Sequence, residues 1–594
     1  MSAKPSPSVP PNPAPQAVAG VARIAAAPAI VGQSGSPEAL AQLNDAIAEL
    51  RALGLEPYLR QSAAAIRAEN AQEAAEWAIK ALERDERCGM AWYCLAIARE
   101  KAGDFKGSLQ CYESALALSP DHIEIANNLG RLAYRMGMSE LAEQFFRLYL
   151  QRYPNSFEPS NNLACALRDQ QRYAEAVEVM RGAIEADVEN PLLWNTLGTV
   201  LTDQGEFATG ITFFDEALRL DPSFIKARYN RSTALLSLGD PEGALVDCEA
   251  ALAGHMAEHE RATMELARAT MLIAQGRLQE GWDAYEARLS HHYFESLLFM
   301  VAGPAWTPDM DLRGKTLLVF AEQGLGDEVL FANLVPDLIE ALGPEGLLML
   351  AVEPRLVSLF QRAFPTARIE AHTTYSIDGR TVRCAPFLKE GDGVDAWAPL
   401  GSLLRRFRPT LASFPARPAF LKADPARVAY WRGALAAAPP GPKVGILWKS
   451  LKLDGARLRY FSPFDLWAPV LTVPGVTFVN LQYGDSDAEQ AQARAMGVTL
   501  WTPPGIDLKM DLDDLAALTQ ALDLLVAPAN ATSNIAAACG APVWLISTPG
   551  AWPKLGTDRY PWYPSVRVFN PPAFNDWSPV MDEIAQELVQ TFDL

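Results

Sequence analysis

From Pro37 to about Ser290, apolar residues recur at helical spacing nearly throughout. Beyond about residue 292 the texture changes to short β-rich runs that alternate with amphipathic stretches. The helical part carries a second, longer rhythm. Leu95, Leu129, Leu163 and Leu197 are 34 residues apart. Ala115, Ala183, Ala217 and Ala251 keep one frame at the same period, with Tyr149 as the exception. Pro120, Pro154 and Pro222 are separated by multiples of 34, and Val188 fills the missing slot. Gly130 and Gly198 fit this offset, as do Tyr112, Phe146 and Phe214.

Small residues where helices touch, with proline between units at this period, are the tetratricopeptide signature. Each helix pair then buries its apolar face only against the next pair. Repeats are expected at 89–122, 123–156, 157–190, 191–224 and 225–258, with degenerate units at 55–88 and about 259–292. In the later part, strands are expected at Thr316–Ala321, Leu347–Val352, Arg368–His372, Val444–Trp448, Thr477–Tyr483, Val498–Trp501, Leu524–Ala527 and Val543–Ser547. Strand–helix alternation implies parallel sheets with helical crossovers. The stretch Ala436–Pro442 reads as a linker between two halves, each opening on a strand-and-loop unit. The predicted architecture is a tail at 1–36, an all-α tetratricopeptide superhelix at 37–292, a linker at 293–312, and two Rossmann-like α/β halves at 313–436 and 437–594. Facing halves of this kind bind ligands at the carboxyl ends of their strands.

The formal net charge of −20 argues against a nucleic-acid binder, which needs a basic footprint. Seven scattered cysteines include no C-x-x-C pair, so neither a disulfide framework nor a zinc site is expected. No apolar run reaches the roughly 18 residues of a membrane span. The Ala-rich stretch Val18–Val31 is interrupted by Arg23 and Pro28 and reads as part of a disordered tail, which leaves a cytoplasmic protein expected.

Four stretches could carry chemistry. The first, AEQGLGDEVLF at 321–331, joins a strand to a helix expected from Glu328 to about Leu342. Gly324 and Gly326 match G-x-G, but Val329 stands at the third glycine position and no Lys-Ser/Thr follows. Carboxylates repel a phosphate at short range, so this loop suits an uncharged acceptor. Asp327 there is either a general base or a helix cap. The second is the crevice loop with Lys449, Lys452, Arg457 and Arg459, cations suited to a phosphate-bearing leaving group. The third is the small polar turn Asn530–Asn534, where Asn530, Thr532, Ser533, Asn534 and free N–H groups suit an anion or simply cap a helix. The fourth is Gln482-Tyr483 at a strand end, able to hydrogen-bond and stack on a base. Asp485-Ser486-Asp487 has a D-x-D form that also occurs at 309–311 and 511–513, so no metal site is assigned. All six histidines lie at or before His372, which excludes a His-based triad in the second half.

The repeats, then Gly281-Trp282-Asp283-Ala284-Tyr285-Glu286-Ala287-Arg288, then the G-L-G-D-E loop, together resemble bacterial TPR-linked GT-B glycosyltransferases. Phe478–Tyr483, Asp511–Leu515, Gly556–Arg559 and Pro561–Pro564 extend the resemblance over roughly residues 55–594. Its nearest form is similar to the alphaproteobacterial flagellin glycosyltransferases. That resemblance implies a nonulosonic acid, such as pseudaminic acid, moved from its CMP conjugate to Ser/Thr of flagellin held by the repeats. It implies no cofactor beyond the nucleotide-sugar substrate. The loop is also similar to that of heptosyltransferases, which implies a base role for Asp327. The chain departs at Trp448-Lys449-Ser450-Leu451-Lys452, where the family pattern is W-R-S-G.

A protein acceptor has separate support. Asn127, Asn161 and Asn195 occupy one repeat position, and Asn128, Asn162 and Asn230 the next. Amides on the first helix of each pair can donate to and accept from a peptide backbone. They resemble the asparagine ladder of the nucleocytoplasmic O-GlcNAc transferase. The competing readings are a tetratricopeptide scaffold with a catalytically dead module and a heptosyltransferase-like envelope enzyme.

Overall fold

A computed structural model describes residues 54–377, 379–389, 391–450 and 460–594. The expected tail and the cations Lys452, Arg457 and Arg459 lie outside the described residues. The chain divides into two compact units, Met1–Val200 and Leu201–Leu594, with the break inside the helix Pro191–Gln204.

The helix pairs follow the sequence period. They are Glu56–Arg67 with Ala71–Arg84, Gly89–Lys101 with Phe105–Leu118, Glu124–Arg135 with Ser139–Arg152, and Phe157–Asp169 with Tyr173–Ala186. Pro191–Gln204 precedes Phe207–Leu220, and Ile225–Ser237 pairs with Pro241–Leu252. A longer helix, Glu258–Ala274, and a short one, Leu278–Tyr285, end the array. Six of the turns inside pairs pass through a left-handed residue at the same repeat position. These are Glu69, Gly103, Gly137, Gln171, Gly205 and Gly239, with φ between 58° and 100°. Four are glycine because a Cβ there is strained. Gly130 has a packing reason instead: a Cβ would lie 2.8 Å from the Phe146 ring.

The second unit adds twelve strands among its described residues. In chain order they are β1 Leu298–Met300, β2 Thr316–Phe320, β3 Leu347–Val352, β4 Arg368–Ala371, β5 Thr373–Ile377, β6 Arg380–Cys384, β7 Ala396–Pro399, β8 Lys443–Ile446, β9 Thr477–Asn480, β10 Leu524–Pro528, β11 Val543–Ile546 and β12 Val566–Phe569. One parallel sheet has the order β4-β3-β2-β7 and the other β12-β11-β10-β8-β9. A small sheet, β1-β6-β5, pairs β1 with β6 in parallel and β5 with β6 in antiparallel. β1 therefore lies inside the stretch that reads as a linker at 293–312.

Two expectations are corrected. Val498–Trp501 forms no strand; only Trp501 bridges to Val479. Pro503 and Pro504 follow and cannot donate to a ladder. The helix expected from Glu328 begins earlier, at Leu325, and is broken into Leu325–Phe331, a 3-10 turn at Ala332–Leu334, and Val335–Leu342. Pro336 is tolerated only in a first turn, so the helix restarts there.

Alternation along the strands splits the core. Leu317 and Val319 enter the main cluster, which also takes Leu447, Leu525 and Ala527 from the other sheet. Leu318 and Phe320 face the opposite way, onto Met349, Phe299 and Trp397. Val444, Ile446 and Val526 pack instead on the helix Ser578–Thr591.

The segment Gly281–Arg288 fastens the last helix pair to this α/β body. A Cβ on Gly281 would lie 2.5 Å from Ile273, so the two helices touch there. Trp282 is buried edge-on to Trp552 and Trp562, and its Nε1 donates to the Arg408 carbonyl at 2.8 Å. Arg288 is 1% exposed and forms a two-pronged pair with Glu322, itself fully buried, at 2.7 and 3.0 Å. The Gly401 N–H donates to the same carboxylate at 2.7 Å, and Arg288 also donates to Ser402 and Glu286.

Removing one member of a buried pair strands the other charge. Glu322→Ala is expected to destabilise the second unit by about 3–5 kcal/mol, whereas the double change Arg288→Met/Glu322→Leu costs much less. Urea titration of the full chain with each variant measures the difference.

Candidate active site

The loop after β2 carries three acids with three different fates. Glu322 is consumed by Arg288 and Gly401. Glu328 is 1% exposed; it accepts from the Glu353 N–H at 2.9 Å and from Arg383 at 3.1 Å, and lies 3.3 Å from His372 Nε2. Asp327 has no cation among its hydrogen-bonding partners and accepts only the Gly324 N–H, at 3.2 Å. Burial pushes the Asp327 carboxyl up to about 6; the Gly324 N–H opposes the shift, and the charges of Glu322 and Glu328 add to it. Gln323, in the same turn, holds a left-handed conformation at φ 61°, strained for a non-glycine residue.

A second loop meets the first. Asn530 caps the helix Ala531–Ala538: its Oδ1 accepts the Ser533 N–H at 3.1 Å, and its own N–H donates to the Ser533 hydroxyl at 2.9 Å. Asn534 donates to the Gly326 carbonyl at 3.1 Å. A Cβ on Gly326 would lie 3.3 Å from the Asn534 amide and 3.5 Å from the Ala531 nitrogen. Glycine there lets the two helix starts approach.

Around this meeting point is a cavity of about 990 Å³ at the carboxyl edges of the two parallel sheets. Asp327, Gly324, Gly326, Tyr483, Asn530, Thr532 and Asn534 all line it. Ser533 is buried behind the wall, with its hydroxyl on the Pro528 carbonyl. Lys449 is paired with Glu489 and does not line the cavity. Gln482 is not offered to a ligand either. Its amide accepts the Trp448 and Lys449 N–H groups and donates to the Lys449 and Tyr483 carbonyls, which joins the ends of β8 and β9. Arg457 and Arg459 are outside the described residues. Asp485 accepts the Asp487 N–H at 3.0 Å as a local turn.

Sequence reasoning missed Arg383, Arg355, Lys509, Trp552 and Tyr560, all in the cavity wall. Arg383 lies on β6, whose polar sequence gives no apolar signal. Arg355 and Lys509 are joined by a hydrogen bond from the guanidinium to the Lys509 carbonyl, at 2.7 Å, between segments far apart in the chain. Tyr560 falls between the stretches Gly556–Arg559 and Pro561–Pro564, so its surroundings, though not the residue itself, were marked. Burial raises the pKa of its hydroxyl, and the charge of Asp327 adds to the shift.

The repeat asparagines have separate fates. In the first unit, Asn127 is buried with an unpartnered Oδ1, and Asn128 donates to the Tyr93 hydroxyl at 2.6 Å. Asn161 accepts from the Thr196 hydroxyl at 2.5 Å, Asn162 is half-buried, and Asn195 is buried. Asn230, in the second unit, is half-buried. The amides of Asn128 and Asn161 thus already hold neighbouring repeats.

Comparison with known proteins adds four findings. Tetratricopeptide repeat models match residues 87–155 and 161–223. The chain is 51% identical to Protein FlbA of Caulobacter vibrioides over 559 residues, 94% of both chains. It is 29% identical to the peroxisomal targeting signal receptor of Kluyveromyces lactis over 89 residues, 15% of this chain and 16% of that one. Among solved structures, a tetratricopeptide repeat protein from Parabacteroides merdae aligns with a TM-score of 0.36 at 16% identity, covering 39% of this chain and 91% of its own. Among the described residues no helix is long and apolar enough to cross a membrane.

The raised Asp327 carboxyl makes a stability prediction independent of function. A folded pKa near 6 against an ordinary 3.8 means the folded state holds this proton longer than the unfolded one. The resulting stabilisation is full below the unfolded value and is lost as pH rises through about 6. Asp327→Asn keeps a cap but cannot ionise, so it should gain stability relative to the native chain between pH 4.5 and 7. Urea midpoints of both proteins at the two pH values measure the gain.

Proposed function

The chain belongs to the family of the Caulobacter vibrioides protein FlbA, and on that premise we propose that it is a cytoplasmic protein O-glycosyltransferase of GT-B type. The repeats recruit the acceptor, which the resemblance identifies as flagellin. The donor is a nucleotide sugar, a CMP-linked nonulosonic acid on the same resemblance. The observation that carries this reading is Asp327. It stands in the wall of a cavity between the carboxyl edges of two parallel sheets, and it has no cation hydrogen-bonded to it. A carboxylate with a pKa near 6 is ionised at neutral pH yet basic enough to take a hydroxyl proton as the acceptor oxygen attacks. The start of the helix Ala531–Ala538, with Thr532 and the Lys509 ammonium, supplies donors for the departing phosphate. This reassigns the phosphate from Lys449, which Glu489 already holds. The hydrogen bond from Gly324 favours a second reading, in which Asp327 only caps its helix and the chain is a tetratricopeptide scaffold.

The two readings separate in a purified assay that follows flagellin by intact mass. Asp327→Asn should leave flagellin binding unchanged while transfer falls about 100- to 10,000-fold. The native rate should rise with pH around a midpoint near 6. Transfer at the native rate by Asp327→Asn removes the base role. Unchanged flagellin mass in a deletion strain favours the scaffold.

A further inference from the structure

β5 reads Thr-Thr-Tyr-Ser-Ile and ends its sheet, with β6 on one side and no strand on the other among the described residues. Thr374 to Ile377 are all exposed, and no other described strand exposes more than one residue. The pairing fixes which backbone groups are left over. β5 and β6 run antiparallel, with Ile377 opposite Arg380 and two residues between them. In such a hairpin the residues flanking the turn exchange both hydrogen bonds, and the pattern then alternates. Ile377, Tyr375 and Thr373 therefore bond to β6. The N–H and C=O groups of Thr374 and Ser376 point to the open side.

Sheets blunt an open edge with lysine, proline, a bulge or a covering segment. β7 and β9, at the ends of the parallel sheets, are met by bridges from Ala305 to Trp397 and from Trp501 to Val479. β5 has no such bridge, no Lys and no Pro. Its sheet also has two unlike faces. Register places Leu298, Val382 and Tyr375 in one row, and Met300, Cys384 and Thr373 in the next. That face is open at Met300, Tyr375 and Ile377, which are 60%, 52% and 46% exposed. The other face bears Phe299, packed on Phe320 and Trp397, with Thr381 and Arg383, which line the cavity that holds Asp327. A strand laid along β5 continues both faces. Alternate side chains fall beside Tyr375 and Ile377, and those between fall on the face of Thr381.

Free N–H and C=O groups along an edge specify the occupant, because an extended backbone offers partners for both in register. The cavity decides between two sources of that backbone. A polypeptide acceptor must reach Asp327, and the hairpin with the open edge also supplies two residues of the cavity wall. A second copy of this chain brings a further charge of −20 against the first and gains nothing from the cavity. We propose that β5 binds an extended segment of the acceptor polypeptide by strand addition, in which hydroxyl residues alternate with apolar ones. This rests on the transferase reading and names the conformation and side-chain pattern of its acceptor.

Hydrogen exchange of the full chain, alone and with saturating flagellin, reads the edge directly. Exchange over residues 373–377 should slow about tenfold or more when flagellin is added. Ser376→Pro removes one outward N–H and leaves the ladder to β6 in place. It should raise the flagellin KM about five- to tenfold, with kcat and the nucleotide-sugar KM changed less than about twofold. Ser376→Ala keeps the N–H and should bring the flagellin KM back toward the native value. Ile377→Lys places a charge on the edge and should raise the same KM. Unchanged flagellin KM in both Ser376→Pro and Ile377→Lys, or unslowed exchange with flagellin bound, would overturn the proposal and leave the transferase reading standing. Equal rises in both KM values would mean a disturbed cavity wall and would overturn it as well. Slowing that depends on the concentration of the chain alone assigns the edge to a second copy and has the same consequence. Should the native chain transfer no sugar to flagellin, the transferase reading fails and takes the inference with it. Urea midpoints check that each variant is folded.

Discussion

The buried pair between Arg288 and Glu322 is the contact on which the second unit turns. It joins the last turn of the repeat array to the loop that leaves the first parallel sheet. Two fully desolvated charges persist only when each is completely satisfied. Here the carboxylate takes two guanidinium donors and the Gly401 N–H, and the guanidinium reaches Ser402 and Glu286 as well. Trp282, three Trp–Trp edge contacts and the Arg408 carbonyl surround the same junction. The segment Gly281–Arg288 is thus the fastening between an α-helical array and an α/β body. Its glycine, tryptophan, tyrosine, glutamate and arginine each have a physical task there.

That fastening shapes the site. With Glu322 held by Arg288 and Glu328 held by Arg383, two of the loop's three acids are neutralised by partners. Only Asp327 is left to face the cavity, half-buried and with its proton affinity raised. The opposite wall comes from the other sheet, through the Asn530 cap and the contact of Asn534 with Gly326. Gly326 serves this approach of two loops, and not a phosphate cradle of its own. The loop's acids, odd beside a phosphate, make sense as two structural anchors and one carboxyl that faces the cavity.

Much of the organisation is legible in the chain because it is local. Period, turn residues and apolar runs act over a few tens of residues. The helix pairs follow the 34-residue frame, and seven of eight expected strands form. β5 and β6 escaped because β5 is exposed along nearly its whole length and both strands mix threonine, serine or arginine with their apolar residues. Gln482 and Lys449 look like ligand groups by position. Their actual partners, the backbone at 448–449 and Glu489, are 33 to 40 residues away in sequence.

The sequence by itself determined the repeat array, the change to α/β texture, and the two loops whose glycine and small polar residues meet at one cavity. Those follow from periodicity and from backbone constraints that any reader of the chain can apply. Tertiary structure alone decided which charged groups are spent on holding the fold and which remain for a ligand. Asp327 is set apart from Arg288, Arg383, Lys449 and Glu322 only by which partner comes within hydrogen-bonding reach, and that is fixed by packing between segments that the sequence does not place side by side.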